Sequence, residues 1–113
     1  MVAIVFDRTD SGSIATILLG DTVVVRVEDG AEAGRWTVEA SGLLTLDAME
    51  RVEADNTNPR ERRLHFRATA VGESSLRLAF RGEDARVLDT FLLEVEVHEH
   101  LPSSALELLR KRR

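Results

Sequence analysis

Three segments of this sequence share one pattern, in which every second side chain is apolar: LHFRATA (64–70), LRLAF (76–80) and FLLEVEV (91–97). A spacing of two places alternate side chains on one face of a β-strand. The segments are joined by a turn at 71–73 and by a short polar loop, so they predict an antiparallel meander with one buried face. Phe66, Phe80 and Phe91 are the predicted core of that face, and the rest of the chain must supply a second layer to cover it.

The first half of the chain predicts further short strands separated by turns. Glycine, serine and aspartate are concentrated at 7–13, 20–21 and 41–42, where tight turns are expected. Between them lie the predicted strands Val2–Phe6, Ile14–Leu19, Thr22–Glu28 and Arg35–Ala40, followed by one broken strand or two short ones within 43–54. Seven or eight short strands with almost no helix predict an all-β, immunoglobulin-like sandwich of antiparallel strands, with Trp36 as a plug between its two sheets.

The C-terminal residues 101–113 depart from the strand pattern. Ala105, Leu108 and Leu109 have helical spacing, and Ser104 followed by Glu107 fits a capping box. We therefore predict a sandwich domain over residues 1–100 and a short C-terminal α-helix over residues 101–113. The apolar face of this helix would either cap the sandwich or join two copies, so a monomer and a homodimer formed through the helix both remain open.

The net charge of −5 is distributed unevenly along the 113 residues. The last four of the fifteen basic residues occupy 110–113, which leaves eleven against twenty acidic residues, so residues 1–109 carry −9. An acidic body with one tryptophan, four phenylalanines and no tyrosine is unsuited to nucleic acid, which calls for basic surfaces and stacking rings. On the predicted strands, Arg26, Arg67 and Arg77 are expected to pair with Glu94 or Glu96.

Hydropathy and composition also limit where the chain is expected to act. No apolar run approaches the ~20 residues that span a membrane, so no membrane contact is predicted. The N-terminal run Val2–Phe6 stops at Asp7 and has no basic flank, which is unlike a signal peptide. The chain as given is therefore expected in the cytoplasm, whereas a leader already removed would imply the periplasm or secretion.

No group of residues predicts catalysis or cofactor binding. His98 and His100 share a strand face near Glu94 and Glu96, but an exposed strand end explains them and no further metal ligand is predicted. The chain has no cysteine, which excludes a thiolate metal site and a disulfide. No combination of acid, base and nucleophile is evident. We therefore predict a chain that is not an enzyme and has no catalytic residue, metal site or cofactor.

A set of framework residues resembles one family of known proteins. The set comprises GDTVVV (20–25), Gly34 followed by Trp36, the segment 64–70 with Gly72, and the segments 76–80 and 91–97. Over about residues 3–97 this spacing resembles the chagasin family, the immunoglobulin-like inhibitors of papain-type cysteine peptidases. One part of it, the pattern Ala-x-x-Val-Gly-x-x-x-Leu-x-Leu from Ala68 to Leu78, also occurs in bacterial immunoglobulin-like repeats.

The resemblance implies that three loops at one end of the sandwich bind a protein partner. The family inhibits through its B–C, D–E and F–G loops, which correspond here to residues 28–34, 55–62 and 81–86. The partner-binding residues implied in this way are Asp29, Gly30, Ala31, Glu32, Ala33, Gly34, Asn58, Pro59, Arg81, Gly82 and Glu83.

All three loops depart from the inhibitory motifs of the family. The family's first loop reads Asn-Pro-Thr-Thr-Gly followed by an aromatic residue, and only Gly34 matches it here, with Trp36 two residues later. The glycine-rich signature of the second loop is absent from residues 55–62. The third loop reads Arg-Pro-Trp in the family, and only Arg81 is kept.

The departures leave two hypotheses for the function. One is a divergent cysteine-peptidase inhibitor that acts through the three loops. The other is a non-inhibitory immunoglobulin-like interaction module whose partner is a different, basic protein. The second follows from the acidic residues expected at this end, because burying an unpaired carboxylate costs several kcal/mol. These residues are Glu28, Asp29, Glu32, Glu83 and Asp84.

Overall fold

A computed structural model describes residues 3–28, 34–52 and 61–100 of the chain. Over these ranges it contains eight strands and a single turn of 3-10 helix, Arg8–Asp10, between the first two strands. The strands are β1 Ala3–Phe6, β2 Ser13–Leu18, β3 Thr22–Glu28, β4 Gly34–Ala40, β5 Leu44–Val52, β6 Glu61–Ala68, β7 Gly72–Gly82 and β8 Val87–His98. The predicted C-terminal helix over 101–113 lies outside the described residues.

The strands form two four-stranded sheets, ordered β1-β3-β6-β5 and β2-β8-β7-β4. This arrangement confirms the predicted immunoglobulin-like sandwich. Four of the six strand pairs are antiparallel, whereas β1 pairs with β3 and β2 with β8 in parallel. The parallel pairs arise because the chain changes sheet between β1 and β2, so each of these two strands joins the edge of a different sheet.

The predicted three-stranded meander is wrong in its first pairing, that of β6 with β7. Strands β7 and β8 do form a hairpin, but β6 lies in the other sheet, between β3 and β5. The connection after Ala68 carries the chain across the sandwich to Gly72, which has a φ of +141°. Alternation could not reveal this crossing, because the inner faces of both sheets carry the same apolar period.

The core between the sheets confirms the aromatic residues expected there. Phe66 and Phe91 are fully buried and Phe80 is 2% exposed. Trp36 is also buried, and its ring centroid lies 5.5 Å from that of Phe80 in a tilted arrangement. The Trp36 indole nitrogen Nε1 donates a hydrogen bond to the Glu28 carbonyl oxygen at 3.1 Å. The predicted plug therefore also links β4 of the second sheet to the end of β3 in the first.

The charge pairs expected on the strands are different in the structure. Arg26 pairs with Glu61 and Arg67 with Asp47, because β3 and β6 lie in the first sheet and β8 in the second. Glu94 and Glu96 instead accept hydrogen bonds from Ser75 (2.8 Å) and Thr16 (3.2 Å). Cross-strand partners are set by sheet order, which alternation does not specify.

Candidate functional site at the loop end

Three connections of the chain leave the sandwich at the same end, which we call the loop end. In the first sheet, Glu28 at the end of β3 lies opposite Glu61 at the start of β6, and Glu61 lies opposite Val52 at the end of β5. In the second sheet, Gly34 at the start of β4 lies opposite Gly82 at the end of β7. The Trp36–Glu28 hydrogen bond joins the two sheets here. The described residues on either side of 29–33 and of 53–60 therefore lie close together, beside the turn 83–86.

Gly34 allows the closest backbone approach at this end. A Cβ atom added to Gly34 would lie 2.4 Å from the Arg81 carbonyl oxygen and 3.1 Å from a ring carbon of Phe80. No side chain fits at that distance, so β4 and β7 can pair here only with glycine at this position. The one B–C residue that matches the family framework is thus explained by strand packing.

Arg81 stabilises the F–G hairpin through side-chain contacts. Its guanidinium group forms an ion pair with Glu39 on β4, and its Nη1 atom donates to the Ala85 carbonyl oxygen at 2.9 Å. Backbone hydrogen bonds of 2.9 Å from Gly82 to Arg86 and from Ala85 to Gly82 close the same loop. Ala85 is held at a φ of 65°, in the left-handed region. The Arg81 guanidinium therefore holds the hairpin in shape, and about a third of its side chain is exposed.

A second charged group stands at the first-sheet side of the loop end. Glu61, 13% exposed, accepts hydrogen bonds from Arg26 Nη2 at 2.9 Å and from Arg63 Nε at 2.7 Å. Burial raises the pKa of the Glu61 carboxyl, but the two arginines outweigh burial and hold that pKa below its ordinary value. The hydrogen bond and charge of Glu61 in turn raise the pKa of Arg26. This group fixes the starting point of β6, directly after the D–E segment.

Two open clefts flank these groups. One, of about 520 Å³, lies beside the Glu61 cluster and is lined by Asp7, Arg8, Thr9, Arg26, Glu28 and Glu61. The other, of about 460 Å³, lies between β4 and the F–G hairpin and is lined by Gly34, Arg35, Thr37, Arg81, Gly82, Glu83 and Ala85. Both clefts have charged walls and open to solvent, a shape that suits contact with a protein surface better than enclosure of a small apolar molecule.

The described part of the loop end carries both signs of charge. Glu28, Glu83 and Asp84 are exposed there, as expected from the sequence, but Arg35 and Arg86 are exposed beside them. Arg86 makes only a long contact of 3.9 Å with Asp84, and Arg35 has no side-chain partner among the residues that the structure describes. Of the five acidic residues expected at this end, Asp29 and Glu32 lie outside the described residues. Strand pairing brings Arg35 beside Arg81, a neighbourhood that the linear sequence does not show.

The structure describes four of the eleven residues that the resemblance marked as partner-binding. Gly34, Arg81 and Gly82 lie together at the paired ends of β4 and β7, and Glu83 follows in the exposed turn. Residues 29–33 and the pair Asn58 and Pro59 lie outside the described residues. Arg35, Glu39 and Ala85 were missed by sequence reasoning, since their place at this site depends on strand register and on a loop carbonyl.

The described ranges show no feature of a metal centre or of a membrane-spanning helix. No group of three or more histidine, aspartate or glutamate side chains within residues 3–28, 34–52 and 61–100 could hold a metal ion. None of the helical structure in those ranges is long and apolar enough to cross a membrane.

Comparison with known proteins relates the chain to solved structures. No protein-family model matches the sequence, and no curated protein matches it either. The fold is similar to the crystal structure of the cysteine protease inhibitor EhICP2 from Entamoeba histolytica, with a TM-score of 0.72 and 13% identity, over 87% of this chain and 97% of that one. It is also similar to the solution structure of amebosin, with a TM-score of 0.69 and 18% identity, over 84% and 97% of the two chains. At identities of 13% and 18%, these similarities show the fold of the chain.

Proposed function

We propose that this chain is a chagasin-like protein-binding domain that inhibits a papain-type cysteine peptidase through its loop end. The observation that carries the proposal is the convergence of three strand connections at one end of a sandwich with the fold of a cysteine protease inhibitor, matched over 97% of that inhibitor's length. The partner-binding segments are the B–C, D–E and F–G connections around 29–33, 53–60 and 83–86.

Inhibition of this kind requires a loop surface that fits the substrate cleft, and it requires no reacting group. Three loops held side by side can enter a substrate cleft and exclude substrate without any reacting group, provided that their conformation is set before binding. The contacts of Arg81 preorganise the F–G turn, and the Trp36–Glu28 hydrogen bond fixes the described strand ends on either side of 29–33. Ordering these loops in advance reduces the entropy lost when the complex forms.

The alternative, a non-inhibitory interaction module, is favoured by the charges of the loop end. Glu28, Glu83 and Asp84 are exposed at its rim, and a carboxylate that enters a cleft without a cationic partner loses several kcal/mol of hydration. A partner with basic residues opposite these carboxylates would be bound in preference to a neutral cleft. Arg35 and Arg86 are exposed beside these carboxylates and reduce the preference for a basic partner. We therefore favour the inhibitor over the non-inhibitory module.

Titration of papain-type peptidases with the full chain tests the proposal. We expect competitive inhibition with a sub-micromolar constant, because a standard-sized complex commonly reaches about 1 μM or tighter. Deleting Ala31–Ala33 should weaken it at least about tenfold, a loss of 1.4 kcal/mol. Val71→Ser is the matched control, since Val71 is 53% exposed in the β6–β7 connection, at the opposite end of the sandwich.

Two results would decide between the functions. Inhibition by the parent chain and by Val71→Ser, but not by the deletion variant, supports the inhibitor. Absence of inhibition against several papain-type peptidases refutes it, and binding of a basic protein that the Glu83→Lys change abolishes would then establish the alternative.

A further inference from the structure

The last strand of the sandwich ends between two exposed apolar residues, at the end of the sandwich opposite to the loop end. Leu19 follows β2 and is 43% exposed, and its amide donates a hydrogen bond to the His98 carbonyl oxygen at 2.8 Å. On the other side of β8, the strand register places Val71, which is 53% exposed, beside His98. We call Leu19 and Val71 the exit patch, because the chain leaves the sandwich between them.

His98 carries a buried polar atom beside the exit patch. Its side chain lies on the outer face of the second sheet, because the neighbouring Val97 points into the core. The Nε2 atom of His98 is buried and has no hydrogen-bond partner among the residues that the structure describes. Buried ring nitrogens are normally hydrogen-bonded, and Ser103 and Ser104, which follow in the chain, carry hydroxyl groups that can bond to one.

The outer face of the second sheet is acidic next to the exit patch. Glu73 is opposite Glu96 in the strand register, and Glu94 lies one row nearer the loop end. Glu73 and Glu94 are exposed, and neither forms an ion pair within the described ranges. Arg77 lies one row beyond Glu94, so three glutamates and one arginine give this part of the face a net charge of −2. A cleft of about 330 Å³ here is lined by Ile14, Glu73, Ser74, Glu94, Val95 and Glu96.

The sequence of residues 101–113 complements both the exit patch and the acidic face. Leu101, Leu108 and Leu109 are apolar, and residues 110–113 are all basic. The leucines therefore suit the exit patch, and the basic residues suit the glutamates beside it. The segment is also long enough: thirteen residues span about 20 Å even as a helix, whereas the row of Glu94 lies about 14 Å from that of His98.

We propose that residues 101–113 fold back over the outer face of the second sheet of their own chain. The leucines of the segment cover the exit patch, and residues 110–113 lie beside Glu73 and Glu94. Attachment directly after His100 gives the segment an effective concentration of the order of mM at this face, so it binds there before a second copy does. Gly82, at the loop end, lies about 30 Å from Glu73 along β7, so this contact is independent of the inhibition proposed for the loop end.

A nitroxide spin label on the full chain tests where the segment lies. The sequence has no cysteine, so Lys111→Cys provides a single attachment point. A label held beside the glutamates should strongly broaden the amide NMR signals of Ser75 and Val95. The signals of Gly82 and Ala85 should stay sharp, because Gly82 is about 24 Å from Ser75 along β7. Equal and weak broadening of all four signals would overturn the proposal.

Two variants of the labelled chain test the two kinds of contact separately. Leu19→Ser/Val71→Ser removes the exit patch, and Glu73→Lys/Glu94→Lys reverses the charges beside it. Each variant should weaken the docking of the segment about tenfold, seen as a loss of broadening at Ser75. All four side chains are exposed, so both variants should fold, and unchanged shifts of the loop-end amides confirm it.

Matched controls make the same changes at other places on the sandwich. Val5→Ser/Val87→Ser removes two apolar side chains that are 46% and 44% exposed, on β1 and at the start of β8. Asp47→Lys/Glu50→Lys reverses two exposed carboxylates on β5 of the first sheet. Both controls should keep the broadening of the labelled parent chain. Broadening that survives in both face variants would place the segment elsewhere and overturn the proposal.

A mixing experiment distinguishes docking within one chain from docking between two copies. An isotope-labelled chain without nitroxide is mixed with an equal amount of the nitroxide-labelled chain that carries no isotope. At about 100 μM protein, well below the effective concentration within one chain, we expect no broadening of Ser75 and Val95 in the mixture. Broadening as strong as that in the singly labelled chain would overturn the proposal, because the segment of a second copy would then occupy the face.

Discussion

Replacing Arg81 with alanine should open the F–G hairpin while leaving the sandwich folded. The change removes the hydrogen bond from Nη1 to the Ala85 carbonyl oxygen and the ion pair with Glu39. Hydrogen bonds to charged groups contribute about 1.5–3 kcal/mol when shielded, and exposed ion pairs about 0.2–1 kcal/mol. Arg81 is 37% exposed and Glu39 30%, so we expect an intermediate total of about 2 kcal/mol.

The backbone of the loop opposes closure in both forms of the chain. Ala85 is held at a φ of 65°, a conformation that costs an L-residue about 1–2 kcal/mol and persists only while its surroundings enforce it. Opening the loop relieves that cost in the parent chain and in Arg81→Ala alike, so the difference between the two comes from the lost guanidinium contacts. A loss of about 2 kcal/mol corresponds to a roughly thirtyfold larger open population.

Amide hydrogen exchange measured by NMR provides the assay. The amides of Gly82 and Ala85 close the hairpin through hydrogen bonds of 2.9 Å, so their exchange should accelerate roughly thirtyfold in Arg81→Ala. The amide of Leu93, in the fully buried part of β8, should change only with global stability. If Arg81 acts by positioning the hairpin, inhibition of the peptidase should weaken by a similar factor.

Arg86→Ala is the matched control for this prediction. It removes the same charge from the same loop, but the Arg86 side chain is 67% exposed and its ion-pair contact with the equally exposed Asp84 is long, at 3.9 Å. Its effect should not exceed about 0.5 kcal/mol. The reasoning is refuted if the Gly82 and Ala85 amides exchange at the same rate in Arg81→Ala as in Arg86→Ala.

Three further changes test the packing of the sandwich. Gly34→Ala should lower the free energy of unfolding by about 2–4 kcal/mol in urea denaturation, because the added Cβ would lie 2.4 Å from the Arg81 carbonyl oxygen. Gly82→Ala is the control and should lower it less, because its Cβ would meet only a Leu88 methyl group, at 3.1 Å. Equal losses in the two variants would contradict this explanation. The pKa of the Glu61 carboxyl is lowered on folding, so the stability that Glu61 contributes to the fold is complete above the ordinary pKa of 4.5 and is lost as the pH falls from there through the folded pKa. A plot of the free energy of unfolding against pH should therefore be flatter on the acid side for Glu61→Gln than for the parent chain. Parallel plots would contradict the role given to the Arg26–Glu61–Arg63 group. Ser13→Ala should keep the melting temperature or raise it by the equivalent of about 1 kcal/mol, because the Ser13 side chain is fully buried and its Oγ atom has no hydrogen-bond partner among the described residues; a fall in melting temperature would show that the hydroxyl is satisfied.

The resemblance located the loop end better than it explained the residues there. Gly34 and Arg81 were singled out as partner-binding residues because they lie in the family's loops and match single positions of its loop motifs. In the structure, Gly34 permits the close pairing of β4 and β7, and Arg81 holds the F–G hairpin through Glu39 and Ala85. A match to a loop motif cannot distinguish a residue that contacts a partner from one that shapes the loop, since either role can belong to the same position in the sequence.

The sequence by itself determined the class of fold and most of the core. Alternation is a local property, because each strand buries every second side chain whichever strand lies beside it. This is why Phe66, Phe80, Phe91 and Trp36 could be assigned to the interior before the sheets were known.

Only the tertiary structure decided which strands are neighbours and what their side chains contact. It placed β6 in one sheet and β7 in the other, paired Arg26 with Glu61, and brought Arg35 beside Arg81. These contacts join residues 35 to 46 positions apart, and their choice depends on how the whole inner surface of each sheet is covered by the other. The period of an individual strand contains no information about that choice, and for this reason the loop end emerges only from the folded molecule.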